Sequence, residues 1–119
     1  MAKTILSADA NPDVRGILKM TLKFKGYTII EAEDGKEAFE ILQKTPCDLL
    51  VSDIDMPNMQ GPELLVKVRQ ELKNTTMPVI ICTGEKDPRE AELLQNGANR
   101  VMKKPFSPIE LMQVVEKLI

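Results

Sequence analysis

The chain is predicted to be an α/β protein built on a parallel sheet, and three observations carry that reading. Short apolar runs alternate five times with stretches whose apolar residues recur every three or four positions, the order strand then helix. The runs Leu49-Leu50-Val51 and Val79-Ile80-Ile81-Cys82 are continuously apolar, as strands covered on both faces require. Parallel neighbours need crossover connections, and the intervening helical segments supply them.

Thr4 to Ala8 reads as the first strand, followed by Asn11 as N-cap and Pro12 as first helical position. Val14, Ile17, Leu18, Thr21 and Leu22 give that helix one buried stripe, and Gly26 stops it. Tyr27 to Glu31 is the second strand. Asp34 with Glu37 forms a capping box for a second helix with Ala38, Ile41 and Leu42 inward, and Pro46 lies beyond its end. Asp48 to Ser52 is the third strand, and two prolines and a glycine make Asp53 to Pro62 a loop. Leu65, Val68 and Leu72 mark the third helix, and Pro78 to Thr83 the fourth strand. Asp87 and Pro88 are expected to cap a fourth helix with Ala91 and Leu94 inward, ended by Gly97, before a fifth strand over Asn99 to Lys103. Ser107, Pro108 and Glu110 open the last helix, whose broad apolar face of Leu111, Met112, Val115, Leu118 and Ile119 belongs in a core. No linker, repeat or low-complexity segment interrupts this series.

Composition removes several function classes. With 119 residues, 43% hydrophobic and 29% charged, the chain is neither a disordered tail nor a membrane protein. A net charge of −2 and a pI near 5.2 argue against direct nucleic-acid binding. There is no histidine, so no His-based triad, general base or metal ligand exists. Cys47 and Cys82 are too few for a zinc site and are expected to be two buried thiols. Two thiols and the lack of an apolar leader point to a cytoplasmic home.

In open α/β sheets, ligands bind beyond the carboxyl ends of the strands. The first strand leads into Asp9, the third into Asp53 with Asp55 two residues on, the fourth into Thr83, and the fifth into Lys104. Singly, each has an ordinary explanation: turn-forming Asp, strand-end hydroxyl, solvated Lys. Together they place carboxylates, a hydroxyl and an ammonium on one edge. Such a set suits phosphoryl chemistry, with carboxylates holding a hard divalent cation, Lys and Thr meeting phosphate oxygens, and one carboxylate available as nucleophile.

Ile5-Leu6-Ser7-Ala8-Asp9, the run from Ser52 to Gly61 with Asp-x-x-Met-Pro-x-Met-x-Gly inside it, Pro78 to Gly84, and Lys103-Lys104-Pro105-Phe106 resemble the receiver domains of two-component response regulators. The resemblance spans residues 4 to 118 and implies a single receiver domain over 1 to 119. Its fold would be flavodoxin-like, a (βα)5 three-layer sandwich with sheet order 2-1-3-4-5. It implies that Asp53 accepts a phosphoryl group from a sensor histidine kinase or phosphotransfer protein and that the switch controls a downstream effector. It further implies that Mg²⁺ is held by Asp9, Asp53 and the backbone carbonyl of Asp55, that Thr83 bonds the transferred phosphoryl, and that Lys104 pairs with the modified carboxylate. The domain would catalyse only its own phosphorylation and dephosphorylation.

Two positions depart from the family pattern. Ala10 stands where a second acidic residue usually provides a direct metal ligand, so Mg²⁺ binding is expected to be weak unless the Asp55 side chain compensates. Val101 replaces the usual aromatic switch partner of Thr83. These departures keep a phosphorylation-independent binding module of the same fold as an alternative. A haloacid-dehalogenase-like phosphatase is a further one, opposed by the place of Asp53 after the third strand, by Pro105-Phe106-Ser107 after Lys104, and by the lack of room for a cap.

Overall fold

Strands and helices alternate without exception along residues 2–119, which a computed structural model describes. They are β1 (Thr4–Ala8), α1 (Pro12–Phe24), β2 (Thr28–Ala32), α2 (Gly35–Lys44), β3 (Leu49–Asp53), α3 (Gly61–Gln70), β4 (Val79–Gly84), α4 (Glu90–Gln95), β5 (Arg100–Lys104) and α5 (Pro108–Leu118). All strand pairs are parallel, and the sheet order is β2-β1-β3-β4-β5. β2 through β5 each lie one residue later than the apolar runs suggest, because ladder pairing extends into the residue that leads to the site.

Successive side chains of a strand point to opposite faces, so the continuous apolar runs feed two cores. Leu50, Val79 and Ile81 pack on one face with Leu64, Leu65 and Val68 of α3 and Leu93 of α4. Leu49, Val51, Ile80 and Cys82 pack on the other with Leu18 and Leu22 of α1 and Leu111 and Val115 of α5. The result is three layers with helices on both sides of the sheet.

The helix starts follow their caps. Asn11 accepts from the N–H of Asp13, Asp34 from that of Glu37 and Ser107 from that of Glu110. Several sequence expectations are corrected. Ile17 is 53% exposed, because α1 buries the row Leu18 and Leu22 and turns Ile17 toward solvent with Met20 and Phe24. α3 begins at Gly61, with Pro62 inside its first turn rather than in the loop, and Leu72 lies past its end. α4 starts at Glu90 after Arg89; it buries Leu93, while Ala91 and Leu94 face solvent. The Asp87 carboxylate does not cap that helix but binds Arg89. In α5, Val114 joins Leu111 and Val115 in the core, while Met112, Leu118 and Ile119 are half-buried. Cys82 is buried, and burial pushes its thiol up to about 12; Cys47 is only half-buried. No helix among the described residues is long and apolar enough to cross a membrane.

Candidate functional site

Sheet register assembles the site. Ala8 pairs with Ser52, so Asp9 and Asp53 leave β1 and β3 at the same edge. Asp53 pairs with Cys82 and Thr83 with Lys103, which brings Thr83 and Lys104 to that edge as well. Lys104 Nζ stands 3.1 Å from Asp53 Oδ1 and 3.2 Å from Asp9 Oδ2. The side chains of Asp9, Asp53 and Lys104 are 6%, 17% and 32% exposed, a gradient that opens outward from Asp9.

Burial raises the Asp53 carboxyl above its usual range, and the nearby Asp9 charge adds to this, against the pull of the Lys104 hydrogen bond. For Lys104, burial disfavours the ammonium, but the two carboxylates together outweigh it and hold the proton on. Asp53 Oδ1 also accepts the N–H of Ile54 at 3.0 Å. Both donors therefore sit on Oδ1, and none among the described residues sits on Oδ2.

Thr83 Oγ1 is buried without a hydrogen-bond partner, as is Ser7 Oγ behind Asp9 on β1. A buried hydroxyl left unpaired costs stability. Val101, the expected second switch residue, lies half-buried in β5 opposite Ile81, one strand away from Thr83.

The loop between β3 and α3 is fixed from the α2 side. Met59 O accepts the N–H of Gly35 at 3.1 Å, and Asn58, at φ 67°, donates to Asp34 at 2.6 Å. A Cβ on Gly35 would lie 2.1 Å from Met59 O, and one on Gly61 would lie 2.5 Å from Asp53 O, so glycine at both places lets the helices approach the loop. The Asp55 side chain does not turn toward the Asp9 and Asp53 carboxylates as compensation for Ala10 would need. It is 71% exposed and faces Arg89, 3.5 Å away.

Three neighbours of the site carboxylates are not among the site residues expected from the sequence. Asn11 donates its N–H to Asp9 Oδ1, Arg15 donates to the backbone carbonyl of Asp9 while pairing with Glu31, and Arg89 pairs with Asp55 and Asp87. Asn11 is marked in the sequence only as a helix cap, and Arg15 and Arg89 only by following a strand end.

The carboxylates brought together at that edge are those of Asp9 and Asp53, joined through Lys104. Among the described residues no cluster of three acidic, thiol or imidazole side chains forms, since Ala10 supplies none. Two carboxylates fit a hard cation that keeps several waters, with no second acidic residue beside Asp9.

The response regulator receiver domain model matches residues 5–116. The chain is 37% identical over 118 residues to a chemotaxis protein CheY homolog of Campylobacter jejuni, covering 97% of this chain and 91% of that one. It is also 33% identical to the sensor histidine kinase TmoS of Ectopseudomonas mendocina, of which it spans 12%. Among solved structures, the chemotaxis response regulator CheY4 of Vibrio cholerae superposes with a TM-score of 0.92 at 29% identity over the whole of both chains. The response regulator TrrA of Thermotoga maritima, solved in complex with Mg²⁺-BeF, gives 0.88 at 32% identity, covering 98% and 99% of the two chains. The chain belongs to the response regulator receiver domain family. Its fold and family match are those of a two-component receiver domain rather than of a haloacid-dehalogenase-like phosphatase.

Proposed function

We propose that the chain is a phosphorylatable receiver and that Asp53 is its acceptor. The observation that carries this is the arrangement of Asp53: half-buried, with Oδ1 held by Lys104 and Ile54 and Oδ2 free. Oδ2 attacks the phosphorus of a phosphohistidine on a partner protein. The new O–P bond forms as the P–N bond breaks, and the imidazole leaves with the electron pair and takes up a proton. Lys104 offsets the charge of the transferred group, and Thr83 Oγ1 gains in that group the partner it lacks. A Mg²⁺ held by Asp9, Asp53 and the Asp55 carbonyl would neutralise phosphoryl oxygen charge.

The partner surface is proposed to lie beside the site. A hollow of about 460 Å³ lined by Val14, Ile17, Leu18, Pro105 and Phe106 borders Lys104, and exposed Ile17, Met20 and Phe24 extend it along α1. A contiguous exposed apolar surface of this kind suits docking of a kinase or phosphotransfer helix. The effector and a cytoplasmic setting belong to the same reading.

Incubation with acetyl phosphate and Mg²⁺ followed by intact mass tests the proposal. One added phosphoryl group in the parent and none in Asp53→Asn is the expected result; no addition in either favours the phosphorylation-independent binding module, for which Ala10 is the supporting observation.

A further inference from the structure

Arg89 sits between two loops that behave differently. The segment Ile54 to Gln60 is anchored: Ile54, Met56 and Met59 are buried, Asn58 and Met59 bond to the start of α2, and Gly61 donates its N–H to Ile54 O at 2.9 Å. The segment that follows Thr83 has far less to hold it. Gly84, Glu85 and Lys86 are exposed, and the turn is closed by the N–H of Asp87 donating to Gly84 O at 3.1 Å. Among the described residues, the pair Arg89–Asp55 is the one ion pair that joins the two segments.

The guanidinium is aimed before it reaches Asp55. Asp87, whose side chain is 12% exposed, accepts from Arg89 Nε at 3.0 Å and from Nη2 at 2.7 Å, a two-point contact that fixes the plane of the group. Nη2 then lies 3.5 Å from Asp55 Oδ1, two residues past the proposed acceptor.

We infer that Arg89 is a positioning residue, a clasp that ties the loop after Thr83 to the anchored loop after Asp53 and so keeps Thr83 close to a phosphoryl group on Asp53. The role in phosphoryl retention rests on the proposed acceptor function; the tethering of the loop does not. With the clasp closed, hydrolysis is slowed: attack of water on phosphorus, with cleavage of the bond to the Asp53 oxygen and release of inorganic phosphate, has to displace Thr83 from the phosphoryl oxygens. With the clasp open, Thr83 leaves the phosphoryl group more often.

The test compares the parent, Arg89→Gln, Asp55→Asn and the double variant. Amide hydrogen exchange of the unphosphorylated proteins should show residues 84 to 88 exchanging about two- to five-fold faster in either single variant, the size an exposed ion pair supports, with 54 to 60 unchanged. The double variant should exchange no faster than Arg89→Gln, because the contact that Asp55→Asn removes is already lost in it. High salt should bring the parent up to the variants and leave the variants where they are. After acetyl phosphate treatment, loss of the phosphoryl group should speed up by the same factor, and Arg89→Lys should fall between parent and Arg89→Gln because it cannot make the two-point contact with Asp87. Unchanged exchange at 84 to 88 in both single variants overturns the clasp. Faster exchange with parental phosphoryl loss overturns its role in retention. Faster exchange with no phosphoryl uptake in any protein leaves the clasp standing and removes the acceptor reading instead.

Discussion

Lys104 reaches Asp53 from the end of β5, its Nζ 3.1 Å from Oδ1, and it is the cation that lets the buried Asp9 and the half-buried Asp53 share one edge of the sheet. One ammonium faces two carboxylates, so one negative charge stays uncompensated inside a half-buried pocket. Its consequences for stability and chemistry can be measured separately.

Removing the charge of Asp53 should stabilise the protein without metal. Asp53→Asn keeps the shape and leaves Lys104 paired with Asp9, and we expect it to melt higher than the parent in chelator, by about 0.5 to 2 kcal/mol. The sign with pH follows from the raised carboxyl of Asp53. A carboxyl raised by folding contributes stability below its unfolded value that is lost as pH rises through its folded value, so the gap between variant and parent should be full at neutral pH and close on acidification. A lower melting point for the variant would identify Asp53 as a structural acceptor.

Ala10 offers the opposite manipulation. A second carboxylate beside Asp9 would face the cation that the Asp9 and Asp53 oxygens define. Two unit charges about 4 Å apart interact by about 4 kcal/mol at an effective dielectric near 20, before solvation offsets it. Ala10→Asp should therefore bind Mg²⁺ more tightly in a calorimetric titration; equal affinity contradicts the assignment of the cation to that edge.

The unpaired hydroxyl of Thr83 separates folding from switching. Thr83→Val removes a buried group that has no partner, so the unphosphorylated protein should melt at or slightly above the parent. The phosphorylated form should lose its phosphoryl group faster. In the parent, amide shifts on phosphorylation should concentrate in residues 83 to 88 and stay small around Val101, whose branched side chain has little reach. Large shifts confined to β5 would contradict this.

Two glycines should respond in opposite directions to alanine. Gly16 lies in the middle of α1, and a methyl group placed on its Cα would meet nothing within 4 Å, so Gly16→Ala should stabilise by roughly 0.5 to 1 kcal/mol. Gly35→Ala puts a Cβ against Met59 O, a backbone atom, and should lower the melting temperature while loosening the loop after Asp53. Thermal denaturation of both variants checks the pair.

The sequence was readable where a side chain obeys its neighbours in the chain. Asn11, Asp34 and Ser107 bond to N–H groups two or three residues away, and the three caps form as their spacing suggests. The site residues Asp9, Asp53, Thr83 and Lys104 follow from strand ends alone once the strands are parallel. What escapes is set by packing between distant segments. Ile17 satisfies a helical spacing as well as Leu18 does, and only the place of α1 on the sheet decides which of them faces the core. Leu93 and Leu94 are adjacent and equivalent as letters, and the short α4 gives too few turns for periodicity to choose between them. Asp87 could cap a helix or hold an arginine, and its carboxylate accepts both the backbone N–H of Arg89, ahead of α4, and the two in-plane donors of that guanidinium.

Localisation of the phosphoryl group tests the acceptor assignment most directly. After phosphorylation by acetyl phosphate with Mg²⁺, borohydride reduction converts an aspartyl phosphate into a stable alcohol that survives digestion and fragment mass analysis. The modification is expected at Asp53 and at no other carboxylate, and to vanish in Asp53→Asn. A reduced residue at Asp9 or Asp55, or none in a protein that folds and binds Mg²⁺, would contradict it.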